Sequence, residues 1–261
     1  MSRKIWWGDF AAPDFAAIDP MKTIAILPIA ATEQHGPHLP VGTDAILNQA
    51  CLEMLVARAP AELDLRILPV QTAGKSNEHL WQKGTVTHTA HTLIDAWTEL
   101  GHSVARAGVR KLVMINSHGG NEEIMGIVAR ELRVAAGMLV IKTGWTRMAP
   151  PAGMYSDLER RHGIHAGDME TSLMLHFRPE LVNHNAVADF VSVAAQEEAA
   201  FTYLRPTGMH AWAWIASDLN PSGAVGNAAN ASAERGRATA EAQVGQMIEL
   251  LREVERHGLP G

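Results

Sequence analysis

The 261-residue sequence lacks several features, and each absence excludes a class of protein. It has one cysteine, Cys51, which excludes an internal disulfide and is typical of a reducing compartment. No stretch reaches the roughly 18 apolar residues of a membrane span, and the N-terminal segment lacks the apolar core of a signal peptide. Lys and Arg form no cluster, and the net charge is −6, which argues against nucleic acid as the main partner. These absences predict a cytoplasmic protein that binds neither a membrane nor nucleic acid.

Histidine, in contrast, is frequent, with 13 residues that are clustered rather than spread. The hydrophobic fraction of 47% and the charged fraction of 19% are typical of a globular protein. A chain of this length can bury a sizeable core without disulfides. We find no internal repeat and no low-complexity linker. The sequence therefore predicts one domain spanning residues 1–261.

Apolar runs alternate with helical patterns along the chain. A continuous apolar run of four to eight residues favours a buried strand, whereas apolar residues at helical spacing favour an amphipathic helix. The predicted strands are 23–30, 65–70, 111–117 and 138–144, and the predicted helices start near Asp44, carry Leu93 to Val104, span 122–137, start near Asp168 and span about 231–256. The alternation predicts an α/β protein, a three-layer α/β/α sandwich with a mostly parallel central sheet.

The segment "ATEQHGPHLPVGTD" (31–44) follows the first predicted strand and carries Glu33, His35 and Asp44. In extended chain, residues two apart point the same way, so Glu33 and His35 can face one point. Prolines and glycines hold the segment in one shape, and Asp44 can reach in from the start of the next helix. Imidazole nitrogen and carboxylate oxygen together suit Zn²⁺ or Mn²⁺, and a carboxylate can bridge two ions.

Two further clusters follow later in the sequence. His118 lies in "NSHGGN", directly after the third predicted strand, where parallel α/β sheets bind their ligands. If the first and third strands are neighbours, His118 converges with the first segment. The other cluster, "HAGDMETS", contributes His165, Asp168 and Glu170.

Structural explanations compete with the functional one. A histidine near one carboxylate is more often structural than functional, and the glycines of "NSHGGN" also suit a tight turn. We interpret His38 as structural, and His79, His88, His91 and His102 as ordinary. The coincidence of three metal-competent clusters at loops of one sheet favours a metal site.

Four segments of the sequence resemble signatures of the creatininase (creatinine amidohydrolase) family, and the resemblance covers roughly residues 5 to 185. They are "EQHGPHLPVGTD" (33–44), "GKSNEH" (74–79), "INSHGGNEE" (115–123) and "HAGDMETSLML" (165–175), in the order of the family. The resemblance implies an α/β/α domain with two divalent metal ions, usually in a homohexamer. It also implies hydrolysis of amide-like C–N bonds, often in small cyclic or formylated compounds.

The resemblance assigns roles to particular residues. The implied metal ligands are Glu33, His35, Asp44 and His118, with Asp44 as the bridge and Glu170 completing the site. His165 matches the histidine that moves a proton. We expect the substrate to contact Ser76, Asn77, Glu78, Gly119 and Gly120. The expected ions are Zn²⁺ or Mn²⁺, with Fe²⁺ as an alternative.

The sequence also departs from the family pattern. Gly119 and Gly120 stand where true creatininases have a tyrosine and a glutamate. We expect Gly119, in place of the aromatic, to leave open space and backbone N–H groups facing the pocket. Gly120, in place of the carboxylate, leaves the second ion short of a ligand, so either Glu170 supplies it or that ion binds weakly. Arg161 and His162 are expected to favour an anionic substrate. The substitutions predict little hydrolysis of creatinine.

The sequence thus predicts a metal-dependent amidohydrolase that cleaves the amide bond of a small compound. Water activated by the ions attacks the amide carbon, and His165 passes a proton to the departing nitrogen. A peptidase- or deformylase-type role is the alternative within enzymes, and a non-catalytic metal-binding scaffold is the alternative outside them. The apolar segment "HAWAWIA" (210–216) and the family resemblance predict a homohexamer.

Overall fold

The structure, a computed structural model, describes residues 3–259. The predicted domain also includes residues 1–2 and 260–261, which lie outside the described residues. Strands and helices alternate as the sequence predicts. The elements are β1 (Ile24–Ile29), α1 (Thr43–Arg58), β2 (Leu65–Ile67), α2 (Ala90–Arg106), β3 (Lys111–Asn116), α3 (Glu122–Ala136), β4 (Leu139–Gly144), α4 (Asp157–His162), α5 (Asp168–Phe177), β5 (Asp189–Phe190), α6 (Val193–Ala200), α7 (Ala216–Leu219), β6 (Gly226–Asn227) and α8 (Ala233–Arg256).

The central sheet has the strand order β2-β1-β3-β4, and all neighbouring strands are parallel. Ile24 pairs with Lys111 and Ile29 pairs with Asn116, so β1 and β3 are in register over six residues. Their carboxyl ends therefore meet at one edge of the sheet. This arrangement brings the loop after β1 next to the loop after β3, as the metal-site hypothesis requires.

Side chains of β1 alternate between the two faces of the sheet, as the period of a strand dictates. Ile24 and Ile26 pack in a core with α1 and α8. Ala25, Leu27 and Ile29 pack on the opposite face with α2 and α3. Helices thus cover both faces, which confirms the three-layer α/β/α prediction.

Helix ends follow local signals in the sequence. The hydroxyl of Thr89 caps α2 by accepting a hydrogen bond from the Thr92 backbone N–H. Gly108 beyond α2 and Gly137 beyond α3 have φ values of 95° and 62°, which glycine adopts without strain. The predicted ends of these two helices are confirmed.

One helix was missed. Residues 145–165 are predicted to be irregular, but α4 lies within them. Ser156 caps α4 by accepting a hydrogen bond from the Glu159 backbone N–H. The helix has six residues, which is too short for an apolar stripe to show in the sequence.

The chain between α5 and α8 contains only short elements, as predicted for residues 183–230. β5 and β6 form a two-stranded antiparallel sheet, and α6 and α7 have eight and four residues. Beyond them, α8 has 24 residues and buries Val244, Met247 and Leu251 against the sheet. Among residues 3–259, we find no helix with the length and apolar character needed to cross a bilayer.

Candidate metal centre

The loop after β1 places three polar side chains inside the protein. Glu33, His35 and Asp44 are 0%, 1% and 2% exposed. Gly36, with φ of 64°, turns the chain where an added Cβ would lie 2.7 Å from the Cβ of Ala224. A side chain is not tolerated there, so the glycine is what allows this loop to pack against its neighbour.

His35 and Glu170 form one end of the cluster. His35 Nδ1 lies 3.0 Å from the Glu33 backbone oxygen and donates to it, so Nε2 is the nitrogen that can bind an ion once it has released its proton. That Nε2 lies 3.6 Å from Asp44 Oδ1 and 3.9 Å from Glu170 Oε2. Glu170 comes from the first turn of α5, and its Oε2 also accepts a hydrogen bond from the Ala166 backbone N–H.

His118 and Glu33 form the other end. His118 Nε2 lies 2.8 Å from the Lys75 carbonyl oxygen and donates to it, so Nδ1 is the nitrogen that can bind an ion once it has released its proton. Nδ1 lies 3.1 Å from Glu33 Oε1 and 3.7 Å from Asp44 Oδ2. The two oxygens of Asp44 therefore face different histidines, Oδ1 toward His35 and Oδ2 toward His118.

Several atoms of this cluster are buried without a hydrogen bond. Within residues 3–259, no hydrogen bond reaches Glu33 Oε1 or Oε2, Asp44 Oδ2 or His35 Nε2, although three histidine nitrogens approach Glu33 Oε1 to 3.1–3.6 Å. Buried polar atoms without partners are costly and rare in native proteins. Nitrogen and oxygen atoms with free lone pairs, turned toward one space, fit divalent ions such as Zn²⁺ or Mn²⁺.

The electrostatics of the cluster indicate an excess of negative charge. Burial alone would lower the pKa of His35, but the neighbouring carboxylates, Asp44 first, raise it to about 9. Burial likewise opposes a raised pKa at His118, but Glu33 and Asp44 raise it to about 10. Burial raises the pKa of Glu170 to about 7. The two histidine shifts show that the carboxylates favour a nearby cation, which a metal ion supplies as well as a proton does.

His165 and His79 complete the cluster. His165 Nδ1 and His79 Nε2 lie 3.6 and 3.3 Å from Glu33 Oε1. The ring of His165 lies between the rings of His79 and His35. Its centroid is 4.5 Å from that of His79 and 4.2 Å from that of His35. The interpretation of His79 as ordinary is wrong. Its position beside Glu78 in "GKSNEH", after β2 of the same sheet, was the signal available in the sequence.

The two glycines after His118 have different surroundings. Nothing lies within 4 Å of a Cβ built on Gly119, so the open space expected there is present. A Cβ on Gly120 would collide with the Lys75 carbonyl oxygen and lie 2.6 Å from Glu78 Oε1. The loop that follows β2 fills the space at Gly120 and brings the Glu78 carboxylate to the cluster.

A cavity of about 630 Å³ opens onto the cluster. Four of the five predicted substrate contacts line it, namely Asn77, Glu78, Gly119 and Gly120. Ser76 does not line it in the described chain; it is buried, with Oγ 3.3 Å from His118 Nε2. The wall also includes four large apolar side chains, those of Ile164, Trp212, Trp214 and Ile215.

Arg161, His162 and Asp168 do not contribute to this cavity. Arg161 Nε and His162 Nε2 lie 3.7 and 2.7 Å from Glu198 Oε2 on α6. Asp168 pairs with Arg235. Within residues 3–259, the cavity wall includes no Lys or Arg, so the expected preference for an anionic substrate has no support here.

The comparison with known proteins agrees with this geometry. The sequence model of the creatininase family, described as creatinine amidohydrolase, matches residues 8–251. The chain belongs to the creatininase family. The prediction of the family from four short segments is therefore confirmed.

Two relatives within the family carry different names. A mycofactocin precursor peptide peptidase from Mycobacterium ulcerans (strain Agy99) is 32% identical over 219 residues, which cover 81% of this chain and 78% of the relative. A creatinine amidohydrolase from Pseudomonas putida is 28% identical over 210 residues, which cover 72% of this chain and 78% of the relative. The chain is thus a creatininase-family amidohydrolase, and its relatives include one named for a peptide substrate.

A solved creatininase structure, described as the Mn form, matches the fold. It has a TM-score of 0.78 and 24% sequence identity, and the match covers 98% of this chain and 100% of that one. At this identity the likeness supports the three-layer fold, and divalent metal binding rests on the cluster described above.

Proposed function

We propose that this protein is a hydrolase with two divalent metal ions that cleaves a C–N amide bond. The position of Asp44 carries this proposal, since its two carboxylate oxygens face His35 and His118 separately. An aspartate placed between two histidines in this way is suited to bridge two ions. The unpartnered oxygens of Glu33 provide a further ligand on the His118 side.

Each ion has its own set of proposed ligands. Glu33 and His118 would hold one ion, His35 and Glu170 would hold the other, and Asp44 would be shared. Zn²⁺ and Mn²⁺ suit this mixture of imidazole and carboxylate, and Fe²⁺ is the alternative. Once bound, such ions polarise a carbonyl and lower the pKa of a water molecule to about 7.

His165 is the proposed proton carrier. Burial, followed by the charge of nearby His35, holds its pKa well below the usual value, so the ring is neutral and keeps a lone pair. It lies between the two ends of the cluster and also lines the cavity. A neutral imidazole there can take a proton from the attacking water and deliver it to the amide nitrogen, which leaves poorly unless protonated.

The cavity wall indicates the substrate class. Trp212 and Trp214 provide an apolar surface, whereas Glu78 and Glu123 provide carboxylates. This combination favours a neutral or cationic amide that carries an apolar group and N–H donors. We propose a small amide, lactam or formamide of this kind, and we expect little turnover of creatinine.

A peptide bond is the second candidate substrate. The relative that is named as a peptidase has 32% identity to this chain. Open space at Gly119 would allow a main chain to pass beside the cluster. A non-catalytic scaffold remains the rival outside enzymes, although a neutral His165 in the cavity weighs against it.

The test combines elemental analysis with a substrate panel. We expect about two equivalents of Zn, Mn or Fe per chain, and hydrolysis of neutral amides with an aromatic or aliphatic group. The panel should contain creatinine, lactams, formamides, N-acyl amines and short peptides. Absence of metal after reconstitution would contradict the proposal. Creatinine turnover with kcat/KM near 10⁴ M⁻¹s⁻¹, about that of an ordinary enzyme, would contradict the proposed substrate class.

We also propose a single domain that forms a homohexamer in the cytoplasm. The family resemblance supports the hexamer, and so does the exposure of apolar side chains near the cavity. Met209 and Tyr203 are 95% and 75% exposed, and such surfaces often mark interfaces. A monomer in light scattering at micromolar concentration would contradict the hexamer.

A further inference from the structure

We propose that Gln34 is a positioning residue, which fixes the ring nitrogen that carries the proton in His79 and in His165. Gln34 lies between Glu33 and His35 in sequence and is 5% exposed. The catalytic consequence of this role rests on the proposed hydrolysis, whereas the hydrogen bonding of Gln34 does not.

Two backbone groups fix the orientation of the Gln34 amide. Its Oε1 accepts a hydrogen bond from the Gly36 N–H at 2.9 Å, and its Nε2 donates to the Gly223 carbonyl oxygen at 3.0 Å. A backbone N–H can only donate and a carbonyl oxygen can only accept. If the amide oxygen and nitrogen were exchanged, the amide N–H would face the Gly36 N–H and the amide oxygen would face the Gly223 oxygen. The orientation of the amide is therefore determined.

The amide then determines the tautomer of His79. The second hydrogen of Gln34 Nε2 meets His79 Nδ1 at 2.7 Å, so Nδ1 must offer a lone pair. The His79 proton is therefore on Nε2, which lies 3.3 Å from Glu33 Oε1. A neutral His79 in this form directs an N–H toward the buried carboxylate and keeps it in place for a metal ion.

The main chain of Gln34 determines the tautomer of His165. His165 Nε2 lies 2.7 Å from the Gln34 carbonyl oxygen and must donate to it. The Gln34 side chain, whose two hydrogens are already used, lies 3.3 Å from the same Nε2. The lone pair of His165 is thus on Nδ1, 3.6 Å from Glu33 Oε1. Nδ1 is the nitrogen available to take and deliver the proton during hydrolysis.

Gly223 makes this arrangement possible. Its φ of 83° suits glycine, and an added Cβ would collide with the Gln34 side-chain amide. The same stretch of chain pairs with the loop of His165 through the hydrogen bond from Val225 N–H to the His165 oxygen, at 2.7 Å. Gln34 therefore connects three loops at the metal cluster.

Two substitutions at one position test the role of Gln34. Gln34→Glu preserves the shape and the acceptor for the Gly36 N–H, but its carboxylate cannot donate to His79. His79 Nδ1 must then carry a proton. Gln34→Met removes all three side-chain hydrogen bonds, to the Gly36 N–H, the Gly223 carbonyl oxygen and His79, and leaves the His79 tautomer free. His165 serves as the internal control, since its partner is a main-chain carbonyl in all three proteins.

Nitrogen NMR of ¹⁵N-histidine protein reads the tautomers directly, in the metal-free and Zn-loaded forms, and His79→Asn and His165→Asn variants assign the signals. In the wild type we expect both rings to be protonated on Nε2. In Gln34→Glu we expect the His79 signals to change to those of a ring protonated on Nδ1, while those of His165 stay. We expect kcat to fall by about 10–100-fold in both variants, as for residues that orient metal ligands.

Two results would overturn the role of Gln34. One is a wild-type His79 protonated on Nδ1, which is decisive even if neither variant folds. The other is a folded Gln34→Glu protein whose His79 signals match the wild type. Because the NMR measurement needs no substrate, a protein inactive on the whole amide panel would contradict the proposed hydrolysis and leave this result unaffected.

Discussion

Two pairs of buried carboxylates in this protein differ in how their oxygens are satisfied. In the pair Glu159 and Asp168, Glu159 accepts from the backbone N–H of Asp168 at 2.7 Å and of Asn227 at 2.8 Å. Asp168 accepts from Ser172 at 3.1 Å and from Arg235 at 2.6 Å. Every oxygen of this pair therefore has a donor.

The pair Glu33 and Asp44 is buried at least as deeply, yet three of its four oxygens have no hydrogen bond among residues 3–259. Both pairs lie beside loops that carry histidines, so neither burial nor residue type separates them. The presence or absence of donors does. A carboxylate with all its donors locks loops together, whereas one without them has lone pairs left for a cation.

Removal of the shared carboxylate should have the largest effect. Asp44→Asn retains the volume of the side chain but removes its charge, so both ions lose a ligand. We expect metal affinity at both positions to fall by more than about 100-fold, beyond the loss typical of a residue that only orients a ligand. Elemental analysis after dialysis measures this. Retention of two ions by the variant would show that Asp44 does not bridge.

Substitution of the proton carrier should affect the reaction without affecting the metal. His165→Ala should lower kcat by roughly 10²–10⁴, because the departing nitrogen is no longer protonated. Metal content should stay the same. His38→Ala is the matched control, since His38 stacks on Phe190 and bonds Thr171 outside the cluster. If His165→Ala loses metal, His165 is a ligand instead.

Disruption of the pair Glu159 and Asp168, whose oxygens all have donors, should lower the stability of the protein without loss of metal. Asp168→Asn weakens the contact with Arg235, whose side chain is 29% exposed. We expect the free energy of unfolding to fall by about 3 kcal/mol, the low end for a broken buried ion pair. Denaturant titration of the wild type and the variant gives the difference. Loss of bound metal from a variant that is still folded would mean that the two carboxylate pairs are coupled.

Metal affinity should rise with pH. The carboxylates raise the pKa of His35 to about 9 and that of His118 to about 10 in the metal-free protein, so both rings are protonated at pH 7. Each ring must release a proton to bind an ion. Affinity should therefore increase about tenfold per pH unit for each proton released, up to pH 9, because one pKa unit corresponds to 1.36 kcal/mol. Calorimetry in buffers of different ionisation enthalpy counts these protons, and a pH-independent affinity would contradict the shifts.

The sequence predicts the fold and the centre of the site well, for identifiable reasons. Strands β1 and β3 are continuous apolar runs, and parallel pairing brings their carboxyl ends together. The loops after them carry the candidate ligands. His79 was misassigned and Gln34 was missed because their positions depend on how separate loops pack, and no periodicity in the sequence encodes that packing.

The cavity wall shows the same limit. Trp212 and Trp214 line the cavity but lie in the stretch of short elements between α5 and α8. No regular apolar pattern in that stretch predicts which residues contact one another. Arg161 was expected near the substrate because it is near His165 in sequence. The turn of α4 instead directs it to Glu198 on α6.

Substitution of Glu78 should have the smallest effect on metal affinity, because this carboxylate belongs to neither of the two pairs. Its Oε1 lies 3.5 Å from His118 Nε2, the nitrogen that donates to the Lys75 carbonyl, whereas Glu33 Oε1 lies beside Nδ1. We expect Glu78 in this position to orient the ring rather than to hold the ion. Glu78→Gln should therefore lower metal affinity by only about tenfold, the low end for such residues.

The control for Glu78 is Glu123→Gln, which removes another carboxylate from the cavity wall; within the described chain, no hydrogen bond or ion pair joins Glu123 to His118. Metal affinity should be unchanged in that variant, and both variants should weaken binding of a cationic amide relative to a neutral one of the same shape. Loss of one full equivalent of metal in Glu78→Gln would show that Glu78 turns inward and coordinates the ion beside Glu33. The loop after β2, for which Gly120 leaves room, would then supply a metal ligand rather than a residue that only orients one.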